Sequence, residues 1–403
     1  MRGVRPTHAV AEIQGLYGPF TFSEKLLQQI WARGDFNREH LVTTDGRRLK
    51  IVQPGRWNLL GGPDFKAARL RFDNGPEITG EVELHLHAGD WVAHRHAQDR
   101  AYDGVKLHVV LFAPEAGRPT TGAQGEEIPV LVLLPVLHHD LEEYAAEAAI
   151  ESLAGRPLTQ AVEALRHFSR ETLLAELRVQ AAQRWRQKVH FARTRITKLG
   201  WTAACQHTAL EILGYRFNRV PMLQVAGRHE LAEWAGGKVA PAQAFAEESG
   251  RWSLQGVRPA NHPRVRLQQY AAWAGAVPDW PQRLVEIAPE LPLVSTAAET
   301  GRVRREYKLT AWRKTLAQRI GGDRIGGTRL DNLICDGWLP LLAAQGRQDL
   351  AGLWYHWFPG DLPPYLTKAL RELGVFDGRA NPACHGTAQG LLGRGLAQEM
   401  HQK

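Results

Sequence analysis

The segment from Glu81 to His87 constrains the fold of this 403-residue chain more than any other. Polar and apolar side chains alternate there without interruption, in the order Glu-Val-Glu-Leu-His-Leu-His. A period of two predicts a β-strand with Val82, Leu84 and Leu86 facing a core and the carboxylates and imidazoles on the opposite face. Same-face neighbours lie about 6.5–7 Å apart, so they can share a metal ion or a phosphate. A simple exposed polar face is the alternative interpretation.

The flanking sequence predicts a small α/β module around this strand. Ser23 is suited to cap a short amphipathic helix over residues 24–33. Residues 73–76, Asp-Asn-Gly-Pro, are typical of a turn between two strands. Five strands are predicted, at 48–53, 65–72, 80–87, 105–113 and 128–137.

From residue 141 onward the apolar period is that of helices. The pattern predicts an α+β protein, with an α/β module containing a mixed sheet over residues 1–150 and a mostly α-helical region, possibly of two subdomains, over 151–403. Residues 1–150 contain 16 Lys and Arg against 20 Asp and Glu, whereas residues 151–403 contain 34 against 22. This division is typical of a protein in which one module holds cations or performs chemistry and another holds a polyanion.

The composition also bears on location and redox state. No apolar run approaches the roughly 20 residues that cross a membrane, and the first residues lack the hydrophobic segment of a signal peptide. Cys205, Cys335 and Cys384 are widely separated and odd in number. We therefore expect a cytoplasmic protein with reduced, mostly structural thiols.

Two carboxylates and a histidine form the first candidate site. Asp64 follows Pro63, and Glu83 comes nineteen residues later with His85 two positions beyond it. Hard oxygen ligands of this kind hold Mg²⁺ or Mn²⁺ against a scissile phosphate, and His85 could orient the attacking water. Alternation from Ala68, Leu70 and Phe72 would turn Asp64 toward the core, so the site requires a bulge near Pro63. A turn or cap role for Asp64 is the alternative.

More histidines follow this strand. His94 and His96 form an HxH pair, in which both imidazoles point the same way on a strand but diverge on a helix. They are candidate metal ligands together with His85, Asp64 and Glu83. His108 lies in an apolar strand and is predicted to be a buried, hydrogen-bonded histidine.

Two basic segments could contact DNA or RNA. Residues 178–198 contain seven Lys and Arg and no acid, which predicts a basic helix; a solvated helix face is the alternative. Residues 258–266 form a second basic segment, whose arginines could instead pair with carboxylates. The candidate phosphate-binding residues are Arg184, Arg186, Lys188, Arg195, Arg258, Arg264 and Arg266.

The Pro63-Asp64 and Glu83-x-His85 pattern resembles the PD-(D/E)xK nuclease superfamily. The resemblance implies a restriction-endonuclease-like mixed sheet, in which an Asp at a second strand and a D/E-x-K at a third converge. It also implies a role for a Glu on the first helix, here Glu24. His85 occupies the lysine position of that pattern.

Several longer segments are similar to an uncharacterised bacterial family, domain-of-unknown-function family 2851. Those segments are GRWNLLGGPDF, GEVELHLHAGDW, HRHAQDRAYDGVKLHVV, LGYRFNRVP, GVRPANHPRVRL and, more loosely, HGTAQGLLG. The family's description assigns no activity, so the functional prediction depends on the candidate residues.

The sequence predicts a metal-dependent nuclease-like protein that acts on DNA or RNA, with Asp64, Glu83, His85 and Glu24 as its catalytic residues. Two alternatives remain open. One is a nucleic-acid-binding module whose nuclease site has degenerated, as the histidine in place of lysine would suit. The other is a metal-dependent hydrolase of a small molecule that uses His85, His94, His96 and carboxylates.

Overall fold

The computed structural model describes residues 9–114, 119–155, 159–346, 349–378 and 382–401. The chain divides into two units, Met1–Ala145 and Ala146–Lys403. The first unit contains a mixed sheet and the second is mostly helical. The predicted α+β class, a mixed-sheet module followed by a helical region, is confirmed.

The first unit begins with a hairpin and a capped helix. These elements are β1 (Val10–Gly15), β2 (Gly18–Ser23) and α1 (Glu24–Arg33). The Ser23 side chain accepts a hydrogen bond from the N–H of Leu26, which satisfies one of the free donors of the first turn. The helix ends at Gly34, whose φ of 64° suits glycine. The predicted helix and its cap are confirmed.

A seven-stranded mixed sheet forms the centre of the first unit. The remaining strands are β3 (Leu41–Val42), β4 (Arg48–Gln53), β5 (Arg56–Trp57), β6 (Phe65–Phe72), β7 (Glu77–His85), β8 (Val105–Val110), β9 (Thr120–Thr121), β10 (Glu127–Ile128) and β11 (Val130–Val132). The order is β11-β8-β7-β6-β4-β3, with β5 beside β6, and β9 pairs with β10 in a separate hairpin. Strands β3 to β7 pair antiparallel, whereas β7–β8 and β8–β11 are parallel.

A short crossover joins the parallel strands β7 and β8. It contains α2 (Asp90–Ala93) and two 3₁₀ turns, His96–Gln98 and Arg100–Tyr102. Parallel neighbours require such a crossover because a tight hairpin cannot connect them. The crossover places His94 and His96 immediately beyond the end of β7.

One face of the sheet packs against α1. The apolar side of α1 contributes Leu27, Ile30 and Trp31, all at most 2% exposed. The sheet residues of this core include Phe65, Leu70, Val82, Leu84, Leu107 and Val109. The alternation predicted for β7 is confirmed for Val82 and Leu84, but Glu83 and His85 on the opposite face are also buried.

Three strand predictions differ from the structure, and the simplest difference is that the strand predicted over 105–113 ends at Val110. The single strand predicted over 128–137 is wrong: β10, β11 and a 3₁₀ turn (Leu134–Val136) occupy that stretch. Pro129 separates the two strands and Pro135 lies in the turn; neither has an N–H for a strand ladder. The third predicted strand begins earlier than expected, at Glu77, and ends at His85.

The second unit is built from helices. They are α3 (Leu141–Gly155, which starts in the first unit), α4 (Thr159–Arg166), α5 (Arg170–Leu199), α6 (Trp201–Arg228), α7 (Leu231–Ala235), α8 (Pro241–Glu247), α9 (Pro263–Ala276), α10 (Trp280–Ile287), α11 (Thr300–Glu306), α12 (Leu309–Arg319), α13 (Gly327–Asn332), α14 (Leu339–Ala344), α15 (Ala351–His356), α16 (Pro364–Glu372) and α17 (His385–His401). A π-helical segment, Leu333–Trp338, joins α13 to α14.

Tryptophans dominate the main core of the second unit. Trp273, Trp280 and Trp357 are fully buried in it. The three cysteines are buried and free, as expected for structural thiols. Among the described residues, no helix has the length and apolar character needed to span a membrane.

Candidate metal centre

Asp64 turns away from the core because β6 contains a β-bulge. Phe65 pairs with Val82 but Ala68 pairs with Gly80, so β6 has one residue more than β7 over this stretch. The extra residue reverses the alternation, so Phe65 is fully buried in the core and Asp64 takes the other face. The predicted strand irregularity is confirmed.

Hydrogen bonds connect the Asp64 position to Glu83 and Leu84, across β6 and β7. The Asp64 N–H donates to Glu83 Oε2 at 2.9 Å, and the Leu84 N–H donates to Asp64 Oδ2 at 3.0 Å. Gln28 Nε2 donates to Asp64 Oδ1 at 2.7 Å. The sequence analysis missed Gln28, although its position one turn after Glu24 on α1 is a usable signal.

Two histidines from the crossover meet His85 at the end of β7. His85 Nε2 lies 3.2 Å from His94 Nδ1 and 3.3 Å from His96 Nε2. Arg95 between them is left-handed, with φ of 58°, so the HxH pair lies on neither a strand nor a regular helix. This turn brings both imidazoles to the same point. The three candidate ligand nitrogens all lie within 4.8 Å of one another.

Glutamates flank the three histidines. Glu83 Oε1 lies 3.4 Å from His96 Nε2 and 3.6 Å from His85 Nε2, and Glu24 Oε1 lies 4.0 Å from His85 Nε2. Ligands that share one ion at about 2.1 Å, with ordinary coordination angles, lie about 3.0–3.4 Å apart. The distances from His85 Nε2 to His94, His96 and Glu83 are in or close to that range. The three histidines could therefore hold one divalent ion, with Glu83 beside two of them.

His108 orients His85 by contacting Nδ1, the ring nitrogen that does not face the other two histidines. Its Nε2 lies 2.9 Å from His85 Nδ1, and its Nδ1 lies 2.9 Å from the Thr120 hydroxyl. If His108 donates to Thr120, it accepts the Nδ1 proton of His85, and His85 Nε2 then presents its lone pair to the centre. His108 is fully buried, so the prediction of a buried, hydrogen-bonded histidine is confirmed.

Burial raises the pKa of all three carboxyl groups in the centre. The pKa of Glu83 rises to about 9, through burial and then the charge of Asp64. The pKa of Glu24 rises to about 7, for the same two reasons in the same order. The pKa of Asp64 rises to about 6 through burial. Clustered carboxylates therefore resist ionisation unless a cation compensates them.

The imidazoles show the opposite shift. Burial, followed by the charge of the neighbouring histidines, lowers the pKa of His85 to about 2, of His96 to about 4 and of His108 to about 3. These rings are therefore neutral near pH 7, the form that binds metals. Among the described residues, no lysine or arginine forms an ion pair with Glu24, Asp64 or Glu83. The donor set therefore fits a divalent cation.

Two aromatic side chains close one side of the centre. Trp91 is 1% exposed and lies edge-on to His96, with ring centroids 5.2 Å apart. Tyr102 stacks on His96 at 3.8 Å. The Trp91 indole donates to the Thr121 carbonyl at 3.0 Å, which fixes its ring. An apolar wall of this kind strengthens electrostatic interactions inside the site.

Some polar residues of the same segment lie outside the centre. His87 is exposed and stacks on Phe112, with ring centroids 4.9 Å apart. Asp90 accepts the His87 N–H at 3.0 Å, and Asp99 caps the second 3₁₀ turn. These residues stabilise the crossover rather than the cluster.

Most of the basic residues predicted on α5 are engaged within the second unit. Arg184 is 8% exposed and donates to Gln187 at 3.1 Å. Lys188 pairs with Asp336 at 2.8 Å, and Arg195 pairs with Glu211 at 2.7 Å. Residues 178–198 lack acids, and other elements supply them: Glu211 lies on the next helix, α6, and Asp336 lies in the π-helical segment. The placements favour structural roles for Arg184, Lys188 and Arg195.

The other predicted phosphate-binding residues are distributed differently. Arg186, Arg258 and Arg264 are exposed, and the Arg264 guanidinium lies over the Phe245 ring at 5.0 Å. Arg266 is 9% exposed. Of the seven predicted phosphate-binding residues, Arg186, Arg258 and Arg264 are the exposed ones.

A family model described as "Protein of unknown function (DUF2851)" matches residues 24–246. This stretch is more than half of the chain and contains every residue of the metal centre. No curated protein and no solved structure matches the chain.

Proposed function

The chain belongs to the family described as protein of unknown function (DUF2851), and we propose that it is a metal-dependent, nuclease-like phosphodiesterase that acts on DNA or RNA. One observation carries the proposal: the buried Glu83, His85 and His96 converge with the half-buried Asp64 and the exposed His94 in one cluster that no described lysine or arginine neutralises. Buried charge without a counter-ion is costly, and functional sites are where proteins retain it.

The donor atoms indicate which ion the centre would take. Mg²⁺ takes oxygen ligands almost exclusively, whereas imidazole suits transition-metal ions such as Zn²⁺ and Fe²⁺; Mn²⁺, a transition-metal ion that favours carboxylates, accepts nitrogen ligands more readily than Mg²⁺ does. His85, His94, His96 and Glu83 would hold the ion, and Asp64 would position Glu83 or add an oxygen ligand. Of the two ions predicted from the sequence, Mn²⁺ therefore fits better than Mg²⁺. A bound divalent ion would supply Lewis-acid stabilisation of the negative charge that develops on the phosphoryl group.

The protein's own residues would perform the remaining steps. The His108 contact fixes the ring of His85, so its Nε2 stays directed into the cluster. Glu24, 4.0 Å from that nitrogen, is the carboxylate placed to orient the attacking water and accept its proton. Trp91 and Tyr102 exclude bulk water from one side, which preserves the strength of these interactions.

The topology of the first unit supports the nuclease-like interpretation. The helix α1, the antiparallel strands β4, β6 and β7, a crossover and the parallel strand β8 follow one another in the chain. Asp64 precedes the second of these strands, Glu83-x-His85 ends the third, and Glu24 begins the helix. The PD-(D/E)xK resemblance implies this arrangement.

Cleavage of labelled DNA and RNA by the purified full chain in Mn²⁺, Mg²⁺ or EDTA tests the proposal. We expect Mn²⁺-dependent cleavage that Glu83→Gln lowers at least about a hundredfold, since a group that stabilises transition-state charge is worth that much. Glu77→Gln, on the same strand but at an exposed ion pair with Arg69 outside the cluster, is the matched control and should keep wild-type activity. Binding without cleavage in every metal would contradict an active enzyme and indicate the degenerate nuclease site.

The three-histidine cluster also favours a second candidate, a metal-dependent hydrolase of a small molecule. Three imidazole ligands beside a carboxylate are typical of hydrolytic zinc or manganese centres. Bis(4-nitrophenyl) phosphate is a suitable probe because it presents a phosphodiester without a nucleic acid. Hydrolysis of this probe by wild type but not by Glu83→Gln, together with intact oligonucleotides, would favour the small-molecule hydrolase.

A further inference from the structure

The second unit contains two buried arginines whose charge is only partly matched. Arg329, on α13, is 6% exposed, and Arg266, on α9, is 9% exposed. Their Nε atoms are buried and have no hydrogen-bond partner. Burying a guanidinium is costly unless acceptors satisfy its donors. This pair therefore differs from the other buried basic residues of the unit.

Arg329 has one carboxylate partner at the edge of the pair. Its Nη1 donates to the Ile212 carbonyl at 3.1 Å, and its Nη2 donates to Asp361 Oδ2 at 3.1 Å. The Asp361 side chain is 33% exposed, so solvent weakens this ion pair. The Arg329 guanidinium also lies over the Tyr215 ring, 4.6 Å from its centroid.

Among the described residues, the hydrogen bonds that Arg266 forms are all to neutral groups. Its Nη1 donates to Gln269 Oε1 at 2.6 Å, and its Nη2 donates to the Asn261 amide oxygen. The pKa of Arg266 falls to about 10, through burial and then through the positive charge of Arg329. The positive charges of the two buried arginines therefore oppose one another, and the same carboxylate, Asp361, acts on both.

Tyr215 gives the pair an opening to solvent. Its backbone, with φ of 56° and ψ of −177°, interrupts the helical course of α6. This conformation is costly for any residue with a side chain. Its ring is 38% exposed although its face covers Arg329. Tyr215 and Asp361 thus lie where a ligand could reach the guanidiniums.

We infer that Arg266 and Arg329, covered by Tyr215, form a binding site for a phosphate group. A tetrahedral oxyanion supplies the negative charge and the several acceptors that this pair lacks, and planar guanidinium donors bind it in a bidentate manner. The phosphate could be a free ion or the end of a nucleic acid, because both offer the same oxygens. The site lies in the second unit and does not depend on the proposed metal-dependent activity.

Calorimetric titration of the full chain with inorganic phosphate tests the site directly. We expect saturable binding that Arg266→Gln weakens at least about tenfold, the effect of losing one charge-assisted hydrogen bond. Arg302→Gln, at an exposed ion pair with Glu306, is the control and should bind like wild type. Absence of binding by wild type, or equal binding by Arg266→Gln, would overturn the inference.

Asp361→Asn keeps the test valid if a buried-arginine variant does not fold. Removing the competing carboxylate should strengthen phosphate binding several-fold, whereas in a purely structural ion pair it would lower stability and create no phosphate binding. Competition with 5′-phosphorylated and 5′-hydroxyl oligonucleotides then identifies the source. Displacement of phosphate by the phosphorylated strand alone supports a nucleic-acid end; displacement by neither supports the free ion.

Discussion

The two units bury charge in opposite ways. In the first unit Glu24, Asp64 and Glu83 lie together beside neutral imidazoles, without a lysine or arginine partner among the described residues. In the second unit most buried charges are matched, as in the Arg195–Glu211 pair at 2.7 Å. Matched burial indicates a structural role, whereas unmatched burial indicates a missing ligand. This criterion favours the acidic cluster as the candidate functional site and a structural role for Arg184, Lys188 and Arg195 on α5.

The largest effect should come from removing a ligand of the metal centre. His96→Ala should lower Mn²⁺ affinity by more than about a hundredfold, because loss of a partner behind a ligand already costs about 10–100-fold and loss of a ligand itself costs more. His87→Ala is the matched control, since this histidine is exposed and lies outside the cluster. Calorimetry and elemental analysis of the protein measure the change. Equal Mn²⁺ affinity in the two variants would contradict the interpretation of the acidic cluster of the first unit as a metal site.

Breaking a matched pair should affect stability instead. Arg195→Gln leaves Glu211, 6% exposed, with Arg219 as its remaining cation and should cost about 2 kcal/mol of unfolding free energy, the value of one charged hydrogen bond. Urea denaturation measures this loss, and Arg186→Gln at the exposed surface of α5 should change it little. If the Arg195→Gln protein is as stable as wild type but binds nucleic acid more weakly, the result would instead indicate that α5 binds nucleic acid.

The contact behind His85 should have a smaller effect. Thr120→Val preserves shape but removes the hydroxyl that contacts His108, so the orientation of His85 is less well fixed. Changes of this kind typically cost about 10-fold or more in metal affinity. We expect a loss of about that size in Mn²⁺ titrations, smaller than for His96→Ala. A loss as large as that of His96→Ala would mean that the variant has disrupted the fold of the cluster.

Stability should depend on pH in the metal-free protein. The raised pKa of Glu83, about 9 against an ordinary 4.5, stabilises the fold fully below pH 4.5, and this contribution is lost as the pH rises to 9. The lowered pKa values of the histidines stabilise it above pH 6.5 and do not change further upward. The melting temperature in EDTA should therefore fall by a few degrees between pH 6.5 and 9.

Glu83→Gln tests the origin of this fall, because glutamine does not ionise. The variant should show a flatter profile than wild type over the same pH range, and saturating Mn²⁺ should flatten the wild-type profile too. An equally steep fall in wild type and Glu83→Gln would assign it to other groups.

The smallest effect concerns the exposed basic residues. Arg186→Gln should reduce the slope of log affinity against log salt by about 1 if this side chain contacts a phosphate. Lys188→Gln, which removes a residue already paired with Asp336, should leave the slope unchanged. Fluorescence anisotropy with a labelled oligonucleotide at several salt concentrations measures both slopes.

Much of the metal centre was predictable because it lies within a short stretch of chain. The period-two pattern of residues 81–87 predicted strand β7. The alternation of Ala68, Leu70 and Phe72 in β6 would have turned Asp64 toward the core, and this conflict predicted the bulge that the structure contains. The convergence of His94 and His96 was not predictable from spacing. It depends on the left-handed Arg95 between them, a conformation that non-glycine residues adopt only when their surroundings require it.

For the basic residues, the sequence predicted the helix but not the ion-pair partners. Residues 178–198 predict a helix correctly, but their lack of acids does not mean that the charges are unpaired. Glu211 comes from the next helix, α6, and Asp336 from the π-helical segment, and only packing of the helices brings them to Arg195 and Lys188. Sequence proximity reports i,i+4 partners on one helix and carries no information on partners between helices.

By itself the sequence determined the fold class, the capped helix α1, the hairpin between β6 and β7, and the residue types needed for a metal centre. These features depend on local periodicity, turn chemistry and composition, which a linear chain displays directly. The tertiary structure decided which charges are matched and which are not. That distinction separates Glu83 from Arg195, and it arises because burial and long-range contacts determine the cost of a charge.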